Sequence, residues 1–338
     1  ERMHAYLPGE QPAGSAVKLN TNENAHPPSP RVLDVIHAFP GESARRYPDP
    51  MATALRRALA AHHGVTPEEV LAGNGSDEIL RLVAYATMDP GARMAVLSPT
   101  YSYYEVIAAS FDAQVVEYPL GDDWSWPDTL WSGDEPLLYL ANPNPPVGTL
   151  FPPGDIARLC RARPRTLVVV DEAYIAFAPP GSSAAALLPS HPNLIVSRTF
   201  SKSHQLAGLR VGYALARGEV MDALLKLKDS YNVNALSQAA ARAAIEDSGH
   251  FTRTRDAIVA ERDRLARALT ERGFDVAPSH GNFVFAQHPH APGIFRALRD
   301  RQVYVRWFDR PRTRLGLRIT VGLPEQTDAL LAALEGLV

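Results

Sequence analysis

Five short apolar runs, at 94–97, 113–116, 137–140, 167–170 and 194–196, each stop abruptly at a polar or proline-bearing turn. The stops are Ser98-Pro99, Tyr118-Pro119, Asn142-Pro143, Asp171-Glu172 and Ser197-Arg198, and helical patterns such as 155–163 lie between the runs. Continuous runs of four or five apolar residues suit strands covered on both faces. Their alternation with helices calls for a mostly parallel sheet flanked by helices, an α/β fold. Beyond Ser230 the pattern changes: amphipathic helices at 235–247 and 251–271, strands at 282–286 and 315–320, and a last helix from Glu325 predict a smaller α+β domain. The opening stretch to about Pro30 is rich in Pro, Asn and Gly and reads as an irregular arm. The expected division is therefore an arm at 1–30, a large domain at 31–232 and a small domain at 233–338, which suits a chain of 338 residues.

Charge and cysteine usage narrow the partners. A formal charge of −3 with no long basic block argues against nucleic acid and against an anionic membrane surface. No apolar run reaches the roughly 18–20 residues of a membrane span. The first residues, Glu1-Arg2-Met3-His4-Ala5-Tyr6, lack a secretory pattern. Cys160 is the single cysteine, and the 11 histidines have no cysteine pairs that would make a zinc spacing, so no metal is expected. A reducing, cytoplasmic setting fits best.

In a parallel α/β sheet, ligands sit beyond the carboxyl ends of the strands. The polar residues at those ends are the candidates, although Asn, Pro, Asp and Ser also serve as plain turn formers. Lys202 follows a strand within Arg198-Thr199-Phe200-Ser201-Lys202. A desolvated lysine there has a lowered pKa and an amine free to attack an aldehyde. The hydroxyls of Thr199 and Ser201, with Arg210, suit a phosphate group. Asp171 ends the most apolar strand and needs a positive partner, of which a protonated pyridine nitrogen is one and a structural ion pair another. Tyr174 lies three residues on. The loop Gly73-Asn74-Gly75-Ser76-Asp77-Glu78 precedes a helical pattern, which makes it either an anion site or a plain N-cap. It is not the dinucleotide fingerprint, because Glu78 stands where a third glycine belongs.

Taken in order, these motifs resemble the fold-type-I pyridoxal-phosphate aminotransferases, and most closely the histidinol-phosphate aminotransferase group. The resemblance runs over nearly the whole chain: Lys18-Leu19-Asn20-Thr21-Asn22-Glu23-Asn24, Tyr47-Pro48-Asp49-Pro50, Gly73 to Glu78, Pro99-Thr100-Tyr101, Asp171 to Tyr174, Ser201-Lys202 to Arg210, Val305-Arg306-Trp307-Phe308, and Leu317-Arg318-Ile319-Thr320-Val321-Gly322. It implies a homodimer that uses pyridoxal 5'-phosphate to move nitrogen from an amino donor to an oxo-acid acceptor. For this group the reaction is histidinol phosphate plus 2-oxoglutarate to imidazole-acetol phosphate plus glutamate, a step of histidine biosynthesis.

The implied roles map residue by residue. Lys202 carries the cofactor as a Schiff base and moves the proton, Asp171 pairs with the ring nitrogen, and Tyr174 bonds the ring oxygen. Tyr101 stacks on the ring. Gly75, Ser76 and Asp77, with Thr199, Ser201 and Arg210, hold the phosphate, joined by Tyr47 from the neighbouring subunit. Arg318 clamps a substrate carboxylate, Arg306 binds the substrate phosphate, and Asn24 and Tyr6 of the arm cover the substrate. The chain departs from the group at Pro145-Pro146-Val147-Gly148, where an asparagine ligand of the ring oxygen is expected one position later than Asn144; Asn144 is the substitute the sequence offers. Ala25 and Ser203-His204-Gln205 depart as well. Three readings remain alongside: an aromatic or other amino-acid aminotransferase, a decarboxylase of phosphorylated amino acids, and a non-catalytic binding protein. Lys202, Asp171 and Tyr174 together argue against the last.

Overall fold

The apolar runs become the middle of one sheet in the computed structural model, which describes residues 8–12 and 14–338. In chain order the strands are β1 (Val17–Lys18), β2 (Val70–Gly73), β3 (Arg93–Ser98), β4 (Gln114–Pro119), β5 (Leu137–Ala141), β6 (Leu167–Asp171), β7 (Leu194–Thr199) and β8 (Gly212–Leu215). They continue with β9 (Asp275–Ala277), β10 (Phe283–Gln287), β11 (Val303–Tyr304), β12 (Arg306–Trp307) and β13 (Gly316–Thr320). The main sheet has the order β2-β8-β7-β6-β5-β3-β4, and only β8 runs against its neighbours. β5 is buried along its whole length, as an apolar strand with helices on both faces must be. One apolar core lies on each face of the sheet, the first around Leu55, Leu138 and Val196 and the second around Leu80, Tyr139 and Ile195.

Two strands of the main sheet escaped the sequence pattern. β2 and β8 contain Gly and Ala, which have low strand propensity, and they join the sheet through neighbours far along the chain. Helix Ala235–Glu246 buries Ala240, Ala241, Ala244 and Ile245 in the same core as Leu55 and Leu59. Its Ala-rich face fits closely under the helices Pro30–His37 and Thr53–His63, which amphipathic periodicity alone does not reveal.

The C-terminal body is a four-stranded antiparallel sheet, β12-β13-β10-β9, covered by the helices Ser248–Thr270, Ala291–Asp300 and Pro324–Ala333. The arm is not wholly irregular, because β1 pairs in parallel with β11 and Leu19 enters this third core, that of the C-terminal body. Trp307 packs against Phe295 here and donates its Nε1 to the Arg314 carbonyl at 2.8 Å, which makes it a core residue.

Candidate active site

In the main sheet the chain order reverses between β3 and β5, and a crevice opens beyond the carboxyl ends there, as doubly wound sheets require. A cavity of about 300 Å³ lies at this place, at the small end of ligand-binding clefts. Its walls bring together eleven of the residues picked out above: Ser76, Asp77, Tyr101, Asp171, Tyr174, Thr199, Ser201, Lys202, Arg210, Arg306 and Arg318.

Asp171 ends β6 and is 5% exposed. Among the described residues it has no ion-pair partner. Its Oδ2 accepts the Tyr104 hydroxyl at 2.9 Å and its Oδ1 accepts the Ala173 amide at 3.2 Å. Burial, with the Asp77 carboxylate adding to it, pushes its pKa up to about 6 against those two donors. A carboxylate held this way lacks a cation. The next residue, Glu172, points elsewhere: it pairs with Arg198 at 2.7 Å and accepts from Ser183 and the Ala184 amide.

Lys202 sits in the short turn Phe200–Ser203 directly after β7. Its Nζ donates to the Thr21 carbonyl at 3.0 Å. Burial, and next the Arg318 guanidinium, pull its pKa down to about 8, so a sizeable fraction is free amine near neutrality.

The anion end is built from backbone geometry. Ser76 and Asp77 open the helix Ser76–Thr87, whose first N–H groups and dipole attract negative charge. Arg210 adopts φ +53°, bonds Asp77 Oδ2 at 3.1 Å and reaches Ser201 Oγ at 3.3 Å. Gly75 lies under Arg210 at φ +79°, and a Cβ there would meet the guanidinium. Gly212 of β8 presses on the backbone of Ser76, where a Cβ would leave no room.

On the opposite wall, Arg306 and Arg318 are direct cross-strand partners on β12 and β13. Directly opposed side chains share one sheet face, and like charges there repel unless an anion lies between them. The two guanidiniums sit 5.4 and 5.3 Å from the Phe308 ring, with Arg306 on the Pro8 carbonyl and Arg318 on the Asn20 carbonyl.

Four of the residues picked out do not line this chain's own cavity, and one of them, Tyr47, is expected at the neighbouring subunit's site. Asn144 is fully buried, accepts from Thr100 and donates to the Pro99 carbonyl, so its side chain is engaged with the turn that follows β3 and Pro145 faces the cavity instead. Asn24 donates to the Lys202 carbonyl at 2.9 Å, which makes it a support of the lysine backbone. Gly75 sits behind Arg210. Tyr47 is 80% exposed and stacked on Tyr231 at 4.3 Å, outside this chain's own cavity. Tyr6 lies outside the described residues. Sequence reading also missed Gly9, Asn20, Thr21 and Glu23, which line the cavity, and Tyr104, whose ring meets Tyr101 edge-on at 5.6 Å. Nothing in apolar periodicity marks an arm residue that reaches the site from 180 positions away.

Tyr104→Phe removes a donor from a buried carboxylate. The Asp171 carboxyl should titrate higher still, by about one pH unit, the worth of one neutral hydrogen bond. Urea unfolding of the cofactor-free parent and variant across about pH 4 to 8 measures the shift.

Comparison with known proteins now decides the family. The family model for aminotransferase class I and II matches residues 15–334. The chain belongs to this aminotransferase family. It is 44% identical to histidinol-phosphate aminotransferase 1 of Burkholderia pseudomallei, across 100% of this chain and 97% of that protein. It is also 44% identical to the histidinol-phosphate aminotransferase of Aromatoleum aromaticum, across 98% and 96%. Among solved structures, the histidinol-phosphate aminotransferase of Sinorhizobium meliloti in complex with pyridoxal-5'-phosphate superposes with a TM-score of 0.88 at 28% identity, over 95% of this chain and 91% of that one.

Proposed function

We propose that this aminotransferase binds pyridoxal 5'-phosphate in the cavity described and takes nitrogen from histidinol phosphate, with 2-oxoglutarate as acceptor. The residues present fit the cofactor. Asp171 is a buried carboxylate lacking a cation, Lys202 is an amine softened by burial, and the Ser76–Asp77 helix start with Thr199, Ser201 and Arg210 suits a phosphate. When bound, the pyridinium ring acts as an electron sink for the carbon that loses its proton. Asp171 holds the proton on the ring nitrogen. Lys202 takes the proton from the substrate carbon and returns it one position away. Tyr174 would offer its hydroxyl to the ring oxygen, and Tyr101 would lie over the ring face.

The observation that carries the substrate is the Arg306–Arg318 pair. Two guanidiniums opposed on one face suit two anionic groups taken in turn, the phosphate of the donor and the carboxylates of the acceptor. Gly9 of the arm stands in the cavity wall, and the Pro8 carbonyl beside it accepts from Arg306 at 3.2 Å. We read the functional unit as a cytoplasmic homodimer, in which the exposed Tyr47 of one subunit reaches the phosphate end of the other. No helix among the described residues is long and apolar enough to cross a membrane.

An amino-donor panel tests the substrate. Arg306→Ala is expected to lower kcat/KM for histidinol phosphate by about 10²-fold, roughly the worth of one charge-assisted bidentate contact, while unphosphorylated donors change little. An equal loss on all donors would contradict the phosphate role.

A further inference from the structure

Tyr174 is held by a residue from the far end of the chain. Asn22 is 1% exposed, sits at φ +53°, and donates its Nδ2 to Tyr174 Oη at 3.0 Å. Its own orientation is imposed by the C-terminal body. Thr320 Oγ1, at the end of β13, accepts the Asn22 backbone N–H at 3.0 Å and donates to Asn22 Oδ1 at 3.1 Å. Asn282 Nδ2 donates to the Asn22 carbonyl at 3.0 Å, and Phe283 meets the Tyr174 ring edge-on at 4.9 Å. Phe283 and Thr320 are themselves cross-strand partners in β10 and β13. A threonine hydroxyl has one proton; with an N–H already accepted, that proton goes to Oδ1, and the amide face of Asn22 is left toward Tyr174.

The consequence lies in the direction of a hydrogen bond. An amide NH₂ can only donate, so Tyr174 can only accept from it, and the phenolic proton is turned away from Asn22. In the Asn144–Pro145 turn no donor takes that role: Pro145 has none, and the Asn144 amide is engaged at Thr100 and Pro99. We infer that Asn22 is a positioning residue for the reaction: through the Thr320–Asn22–Tyr174 chain, the C-terminal body fixes Tyr174 as a hydrogen-bond donor into the cavity. The inference rests on the cofactor reading above, because the acceptor is the ring oxygen of pyridoxal phosphate.

Donation by Tyr174 spreads the negative charge on that oxygen, and the nitrogen of Lys202 bound to the cofactor then holds its proton less tightly. Loss of the donor raises the pH at which that proton leaves. The test is a pH titration of the visible absorbance of the cofactor-loaded protein. Asn22→Gly keeps the left-handed backbone and deletes the amide. It should raise the midpoint by about half to one pH unit, the tilt one neutral hydrogen bond supplies. Thr320→Val keeps the shape, frees the amide to turn over, and should shift the midpoint in the same direction; it also serves if Asn22→Gly folds poorly. Both shifts should vanish in a Tyr174→Phe background, because the coupling runs through that hydroxyl. An unmoved midpoint, or the same shift with Tyr174 already replaced, overturns the inference while the cofactor reading stands. A chain with no visible band that Lys202→Ala removes overturns the cofactor reading itself, and the inference with it.

Discussion

Lys202→Ala is expected to lower kcat/KM for amino transfer by about 10⁴-fold or more and to erase the visible absorbance of the cofactor-loaded protein. Both the covalent anchor and the proton carrier are lost with one amine. Turnover surviving near the parent rate would exclude Lys202 from either role. The parent protein offers a second check on the same group. Only the free amine attacks an aldehyde, so cofactor capture by the cofactor-free protein should quicken with rising pH around a midpoint of about 8. A lysine in open solvent would give its midpoint more than two pH units higher.

The second large effect concerns Asp171 and has two opposite faces. Asp171→Asn should reduce kcat by about 10³-fold, near 4 kcal/mol, because a neutral amide cannot hold the proton on the ring nitrogen. The same change should stabilise the cofactor-free protein. An ordinary aspartate titrates near 3.8 and this one near 6, so between those values the folded chain keeps a proton that the unfolded chain has released. Stability from this group is therefore greatest below about pH 4, falls as pH rises to about 6, and stays lower above it. Removing the charge recovers up to roughly 3 kcal/mol at pH 7. Urea unfolding of the cofactor-free parent and variant at pH 4 and pH 7 measures this, and a variant less stable than the parent at pH 7 would show that the carboxylate is not strained.

The two predictions share a physical origin. Cofactor chemistry needs an amine less protonated than water would leave it and a carboxylate with no cation of its own, and burial of the two groups supplies both. Tyr104 limits the penalty at Asp171 with one donated hydrogen bond, and the Thr21 carbonyl gives the Lys202 amine a fixed direction. On the proposed reading, a cationic ring nitrogen bound beside Asp171 would supply the partner that carboxylate lacks, and binding would relieve a cost already present in the fold.

Much of the site is readable in the chain because strand ends are local events. An apolar run such as 167–170 must be buried, so the charged Asp171 that ends it must sit at a buried strand end. The same logic applies to Lys202 after β7 and to Ser76 and Asp77 at a helix start. The mostly parallel sheet follows from the runs alternating with helices. What sequence pattern could not supply is whatever depends on contacts between distant segments. Asn22 meets Tyr174 across 152 positions and Thr320 across 298. Arg306 faces Arg318 only because β12 and β13 pair in that register. Asn144 was the natural stand-in for a missing amide, yet its turn places the side chain on Thr100 and Pro99, a fact of local packing that residue identity does not contain. The sequence by itself determined which chemical groups were present and at which strand ends they stood, since hydrophobic burial acts along short stretches. Only the tertiary structure decided which of those groups share a cavity, in what direction their protons point, and that the arm at 20–24 joins them, because hydrogen-bond direction is set by partners that the chain brings together from opposite ends.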